Sequence, residues 1–75
     1  MQYVTFINKA GIEHKAWARQ DGDKFICMKL EDLSSTPENM WPQKIFNTQV
    51  EADEAILKYV NAGLKAGIFV SKRVE

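Results

Sequence analysis

Nucleophilic, acid–base and metal chemistry each need particular side chains held close together, and few in this chain qualify. Cys27 is the only cysteine and His14 the only histidine. A thiol and an imidazole can serve as nucleophile and base, but the spacing of these two matches no metal-ligand motif. The preferred strand register, given below, also puts them on opposite faces of a sheet. Cys27 therefore reads as an inert strand thiol and His14 as a satisfied histidine at the edge of the core. Asp21 and Asp23 are neighbouring acids within a turn, where carboxylate oxygens serve backbone amides. Glu51, Asp53 and Glu54 begin a helix and have a capping and dipole role there. Gly11, Gly22, Gly63 and Gly67 are too dispersed to cradle a phosphate. The expectation is a protein that is not an enzyme, with no catalytic residue, no metal and no cofactor.

Two groups of residues have binding chemistry instead. Lys15, Trp17, Arg19, Phe25 and Lys29 interleave aromatic rings with cations. Such a set suits protein recognition, where Trp and Arg dominate hot spots. It also suits single-stranded nucleic acid, where bases stack on rings and cations follow phosphates. The competing structural reading is that residues 68–74, the long loop or a second subunit covers Trp17 and Phe25. Met40 and Trp41, flanked by Glu31, Asp32 and Glu38, form the second group. They could anchor a basic partner surface, or Trp41 could fold back to cap the core of a small domain.

The elements that must position these residues follow from local pattern. Residues 2–8 alternate β-formers and end at Lys9-Ala10-Gly11, a turn with a glycine free to take positive φ. Residues 12–20 and 24–31 form two more strands around Asp21-Gly22-Asp23, a hairpin signal. Residues 32–39 are rich in turn formers, and Pro37 suits the start of a short helical turn. Residues 43–47 make a short fourth strand whose entry Pro42 restricts. Thr48 and Glu51 match a capping box, so a helix starts there. Gly67 is its stop, with Gly63 tolerated inside where the helix crosses the sheet closely. Residues 68–74 close as a fifth strand.

The hairpin loop sets which side chains share a face. A three-residue loop places Ala18, Ala16 and His14 opposite Ile26, Met28 and Leu30, and gathers Arg19, Phe25, Trp17, Cys27, Lys15 and Lys29 on the other side. A two-residue Asp-Gly turn instead joins Trp17 to Ile26 and Met28 inside, with Lys15 and Arg19 awkwardly beside them. The first register is preferred because it separates charge from the aliphatic face.

On the helix, Ala52, Ala55, Ile56, Tyr59, Val60 and Gly63 form the main apolar stripe at helical spacing. Val50, Leu57 and Leu64 form a second line, one residue every seven. That line is either the flank of a broad core-facing arc, the preferred reading, or the seam of a homodimer.

Length and charge limit the rest. Seventy-five residues allow a single compact domain over 1–75. A lone cysteine excludes a disulfide-stapled miniprotein. Neither a signal peptide nor an apolar run of membrane length is visible, so a cytoplasmic protein is expected. Ten basic residues balance ten acidic ones, but unevenly: residues 1–30 sum to +2, residues 31–54 to −5 and residues 55–75 to +3. The overall positive excess usual for a duplex nucleic-acid binder is missing.

The run from Ile45 to Val74, IFNTQVEADEAILKYVNAGLKAGIFVSKRV, resembles in layout many small α+β proteins, among them phage-encoded inhibitors of host machinery. The likeness rests on capping and periodicity. It implies a small protein that works by occluding a surface of a larger assembly, a mechanism that requires no active site.

The reading from sequence is therefore an α+β fold, an antiparallel sheet of four or five strands in β-β-β-β-α-β order with one main helix on one face. The leading function is a non-catalytic protein-binding module or inhibitor with Lys15, Trp17, Arg19, Phe25, Lys29, Met40 and Trp41 as partner-binding residues. A single-stranded nucleic-acid binder is the alternative, and a homodimer through Val50, Leu57 and Leu64 the next.

Overall fold

The computed structural model describes residues 2–30, 41, 42 and 44–75. The elements are β1 (Tyr3–Asn8), β2 (Glu13–Asp21), β3 (Lys24–Leu30), β4 (Ile45–Phe46), α1 (Gln49–Lys65) and β5 (Phe69–Val74). The strands form one antiparallel sheet in the spatial order β4-β3-β2-β1-β5, and α1 packs on one side of it. This is the expected α+β fold with five strands. β4 is shorter than expected, since Pro42 and the helix cap at Thr48 leave little room for pairing between them. The expected turn over 32–39 and Met40 lie outside the described residues.

Helix α1 begins and ends where local chemistry predicts. The Thr48 hydroxyl oxygen accepts from the Glu51 amide at 3.2 Å and its proton goes to the Glu51 carboxylate at 3.0 Å. That second bond joins side chain to side chain, a variant of the reciprocal box. At the other end the Gly67 amide donates to Leu64 O and the Ile68 amide to Gly63 O, at 3.2 and 2.8 Å. With Gly67 at φ 77°, this is a Schellman cap.

The core lies between α1 and the face of the sheet formed by Val4, Phe6, His14, Ala16, Ala18 and Cys27, all buried. Alanines dominate the middle of β2, so the helix can approach closely and fill the space with its own Ile56, Tyr59 and Val60. The Phe6 ring lies 4.7 Å from Phe69 and meets Tyr59 edge-on at 6.2 Å. At the β1–β2 turn, buried Asn8 accepts from the Ala10 and Ile12 amides at 2.9 and 3.0 Å. Those two donors orient its carboxamide, leaving Nδ2 to donate to His14 Nε2 at 3.2 Å. His14 is thus part of the turn's framework.

Gly63 marks a close approach of helix and sheet. A Cβ there would lie 2.2 Å from Phe69 Cδ2 and 2.3 Å from Cε2, and the Phe69 ring is itself held by Phe6 and Tyr59. Gly63→Ala is expected to destabilise the fold by about 1–3 kcal/mol through overpacking, even though alanine favours an isolated helix by about 1 kcal/mol. Urea denaturation measures the difference, and a more stable Gly63→Ala variant would contradict the tight crossing.

Candidate interaction face of the sheet

Side chains alternate across a strand, so β2 sends His14, Ala16 and Ala18 toward α1 and Glu13, Lys15, Trp17 and Arg19 away from it. The hairpin closes through the two-residue loop Gly22-Asp23, with Asp21 paired to Lys24 and Gly22 at φ 65°. The Gln20 amide group donates to Gly22 O at 3.1 Å. Trp17 therefore pairs with Met28, Arg19 with Ile26, Ala18 with Cys27 and Ala16 with Lys29.

This register corrects the preferred expectation. A one-residue slip moves a whole strand to the other face, and here it separates the expected aromatic-basic set. Lys15, Trp17 and Arg19 stay together on the face turned away from α1. Phe25 and Lys29 project to the helix side, where Phe25 packs against the core and the Lys29 ammonium lies 5.1 Å from the Trp41 ring centroid. Trp17 does join Ile26 and Met28, as in the two-residue alternative, but through a Gly22-Asp23 loop in place of Asp21-Gly22, and on the face without the helix. Cations beside those aliphatic side chains are tolerated there because nothing described covers that side.

Trp41 is only 9% exposed. Its indole N–H donates to Cys27 O at 3.3 Å and its ring meets Tyr59 edge-on at 5.0 Å. It caps the core, the structural alternative weighed for it. The heptad line also divides: Leu57 and Leu64 are half-buried and pack on the core, while Val50 is 63% exposed. The three do not form one exposed seam.

The open face gains residues that sequence reasoning missed. Tyr3 pairs with Trp17, so a row Tyr3–Trp17–Met28 crosses three strands. Ile26 and Ile45 continue it onto β4. Tyr3, Trp17, Ile26 and Met28 are half-buried and Ile45 is 59% exposed. The Tyr3 and Trp17 rings are 6.0 Å apart at 51°, and the Lys15 ammonium sits 4.7 Å from the Tyr3 ring centroid. Arg19 and Arg73 add cations at the flanks. Arg73 forms a 3.1 Å ion pair with Glu75, both well exposed, which contributes little to stability. The signal for this row was the alternation Tyr3-Thr5-Ile7 against Val4-Phe6-Asn8, once the hairpin parity is known.

Cys27, expected on the face opposite His14, lies with it on the α1 side, since the one-residue change of register brings both to the core. Its thiol donates to Ala52 O at 3.5 Å, and burial, with the Asp53 carboxylate adding to it, pushes its pKa up from 9.0 to about 11. That shift alone lowers the thiolate fraction about 100-fold near neutral pH, and the thiolate is the reactive form. An aromatic disulfide reagent is expected to modify native Cys27 at least about 100-fold more slowly than the denatured chain; equal rates would contradict this burial. Because the folded state holds the proton more tightly, this contribution to stability is complete below pH 9 and is lost as pH rises toward about 11.

A groove of 640 Å³ opens along α1 beside Pro42 and Phe46. Its charged walls, Lys44 and Lys58 against Glu51 and Glu54, balance in sign and select no charged ligand. Among the described residues, no group of three or more His, Cys, Asp or Glu could hold a metal, and no helix is long and apolar enough to cross a membrane. Comparison with protein-family models, curated proteins and solved structures finds no match for this chain.

Proposed function

We propose that this protein is a small non-catalytic binding module that uses the open face of its sheet to occlude a surface of a larger protein assembly, acting as an inhibitor or modulator. The observation that carries this reading is the apolar row Tyr3–Trp17–Met28 with Ile26 and Ile45, flanked by Lys15 and Arg19 and covered by no described element. A row of aromatic, methionine and aliphatic side chains with arginine at its border has the composition of an interface centre. The partner chemistry that fits is an apolar protein surface rimmed by carboxylates.

Nucleic acid fits this face less well. Base stacking needs ring faces open to solvent, and here Lys15 lies over Tyr3 while Trp17 tilts against it. The aliphatic part of the row offers nothing to a base that it does not offer better to a protein. We place the protein in the cytoplasm, a reading that the lone thiol of Cys27 supports.

The test takes proteins retained by the immobilised wild type and lost from Trp17→Ala, purifies them, and titrates each against both. Binding of a purified protein that depends on Trp17 supports the reading. Binding that Trp17→Ala leaves intact, or quenching of Trp17 fluorescence by mixed single-stranded oligonucleotides at low salt, counts against it.

A further inference from the structure

The two edges of the sheet differ. β4 is two residues long, too short to template another strand. β5 runs Phe69–Val74 on the other edge and, among the described residues, pairs with β1 alone. The Tyr3 amide donates to Glu75 O at 2.9 Å and the Glu75 amide to Tyr3 O at 2.8 Å, so these residues form a hydrogen-bonded pair. Strict alternation along an antiparallel ladder then bonds Arg73 to Thr5 and Ser71 to Ile7, in the observed register. The N–H and C=O groups of Lys72 and Val74 therefore point outward. Val70, the extra residue at the register shift opposite Ile7 and Asn8, bounds this free lane at its N-terminal end.

Native proteins blunt such edges with lysine. Here the Lys72 ammonium instead donates to Asn61 on α1, which draws its side chain over the helix and away from the lane. The edge carries cations at consecutive positions, Lys72 on the helix side and Arg73 on the open side. The latter is in an exposed ion pair with Glu75 that a partner carboxylate can replace at little cost, and Val74 is 45% exposed beside them.

We propose that the outer edge of β5 accepts an extended acidic segment of a partner protein as a sixth, antiparallel strand, with adjacent carboxylates opposite Lys72 and Arg73 and an apolar residue opposite Val74. A second copy of this chain is a poorer occupant. Antiparallel self-pairing centred on the lane sets Lys72 against Lys72 of the second copy, and a shift toward Val74 sets Arg73 against its own copy. Like charges directly opposite destabilise a strand pair. Strand addition supplies main-chain hydrogen bonds for affinity, and the side chains at the edge select the sequence.

The probe is a capped six-residue peptide, valine-valine-glutamate-glutamate-threonine-valine, with a control in which both glutamates are lysine. Saturation with the acidic peptide is expected to slow amide exchange at Lys72 and Val74 at least about tenfold, and the lysine control to leave it unchanged. Lys72→Pro, which removes an outward amide that bonds nothing in β1, should abolish binding. Lys72→Glu with Arg73→Glu should weaken the acidic peptide at least about tenfold and favour the lysine peptide; this charge reversal carries the test if the proline variant does not fold. No slowing at Lys72 and Val74, equal slowing by both peptides, or protection of these amides by self-association without peptide would overturn the proposal. Trp17→Ala is expected to bind the peptide normally, so failure here is distinguishable from failure of the open-face reading.

Discussion

Replacing Trp41 with alanine is expected to destabilise the fold by about 3–5 kcal/mol, the cost of removing a large buried aromatic. The indole covers Tyr59 edge-on, donates to Cys27 O and lies under the Lys29 ammonium. Truncation therefore opens a cavity, leaves a strand carbonyl without that donor and uncovers the ring chain of Tyr59, Phe6 and Phe69. A domain of ordinary stability has only about 5–15 kcal/mol in total, so this variant should lose much of its resistance to urea. Trp41→Phe keeps the packing and loses the hydrogen bond, and should cost about 1–2 kcal/mol. A Trp41→Ala variant as stable as the wild type would show that the indole is not part of the core.

Trp17→Ala should do the reverse. Trp17 is half-buried on the open face, between Tyr3 and Met28, and its backbone belongs to a central strand that alanine can still occupy. Loss of stability should stay near 1 kcal/mol, since only cross-strand contacts are removed. Affinity for the partner should fall at least about 30-fold, corresponding to a hot-spot loss of about 2 kcal/mol or more. The two tryptophans thus separate folding from binding, with opposite effects in the two assays.

The elements set by local chemistry were legible in the sequence. Thr48 and Glu51 announce the helix start, Gly67 its end, and Ala52, Ile56, Tyr59, Val60 and Gly63 the buried stripe, all found there. Gly63 was even legible as a crossing point, because a glycine inside a capped helix usually has a packing reason. The faces of the hairpin were not. Asp21-Gly22-Asp23 permits loops of two or three residues, and the two differ by one position, which inverts every side chain on β3. The preference for the longer loop rested on keeping Lys15 and Arg19 off the aliphatic face of Ile26 and Met28, which both loops placed in the core. In fact the core uses alanines on β2 and large residues from α1, and the aliphatics of β3 line the opposite face. That Trp41 caps the core was legible as one of two readings, because a small domain gains by burying a large indole; its partners were not, since Cys27 and Tyr59 lie 14 and 18 positions away.

The charge pattern takes on a spatial meaning in the fold. Lys15, Arg19 and Arg73 border the open face, whereas Glu51 and Glu54 belong to the helix layer behind the sheet. Lys44 and Lys58 offset those acids beside the α1 groove, so it is at the open face that a carboxylate-rimmed partner meets cations beside an apolar row.

Backbone and side-chain resonances of the isotope-labelled protein, followed while a purified Trp17-dependent partner is added, test the central claim most directly. The account predicts perturbations centred on Tyr3, Trp17, Ile26, Met28 and Ile45, with the outward face of α1 unchanged. Perturbations centred on the α1 groove around Phe46, Glu54 and Lys58, with the open face silent, would contradict it.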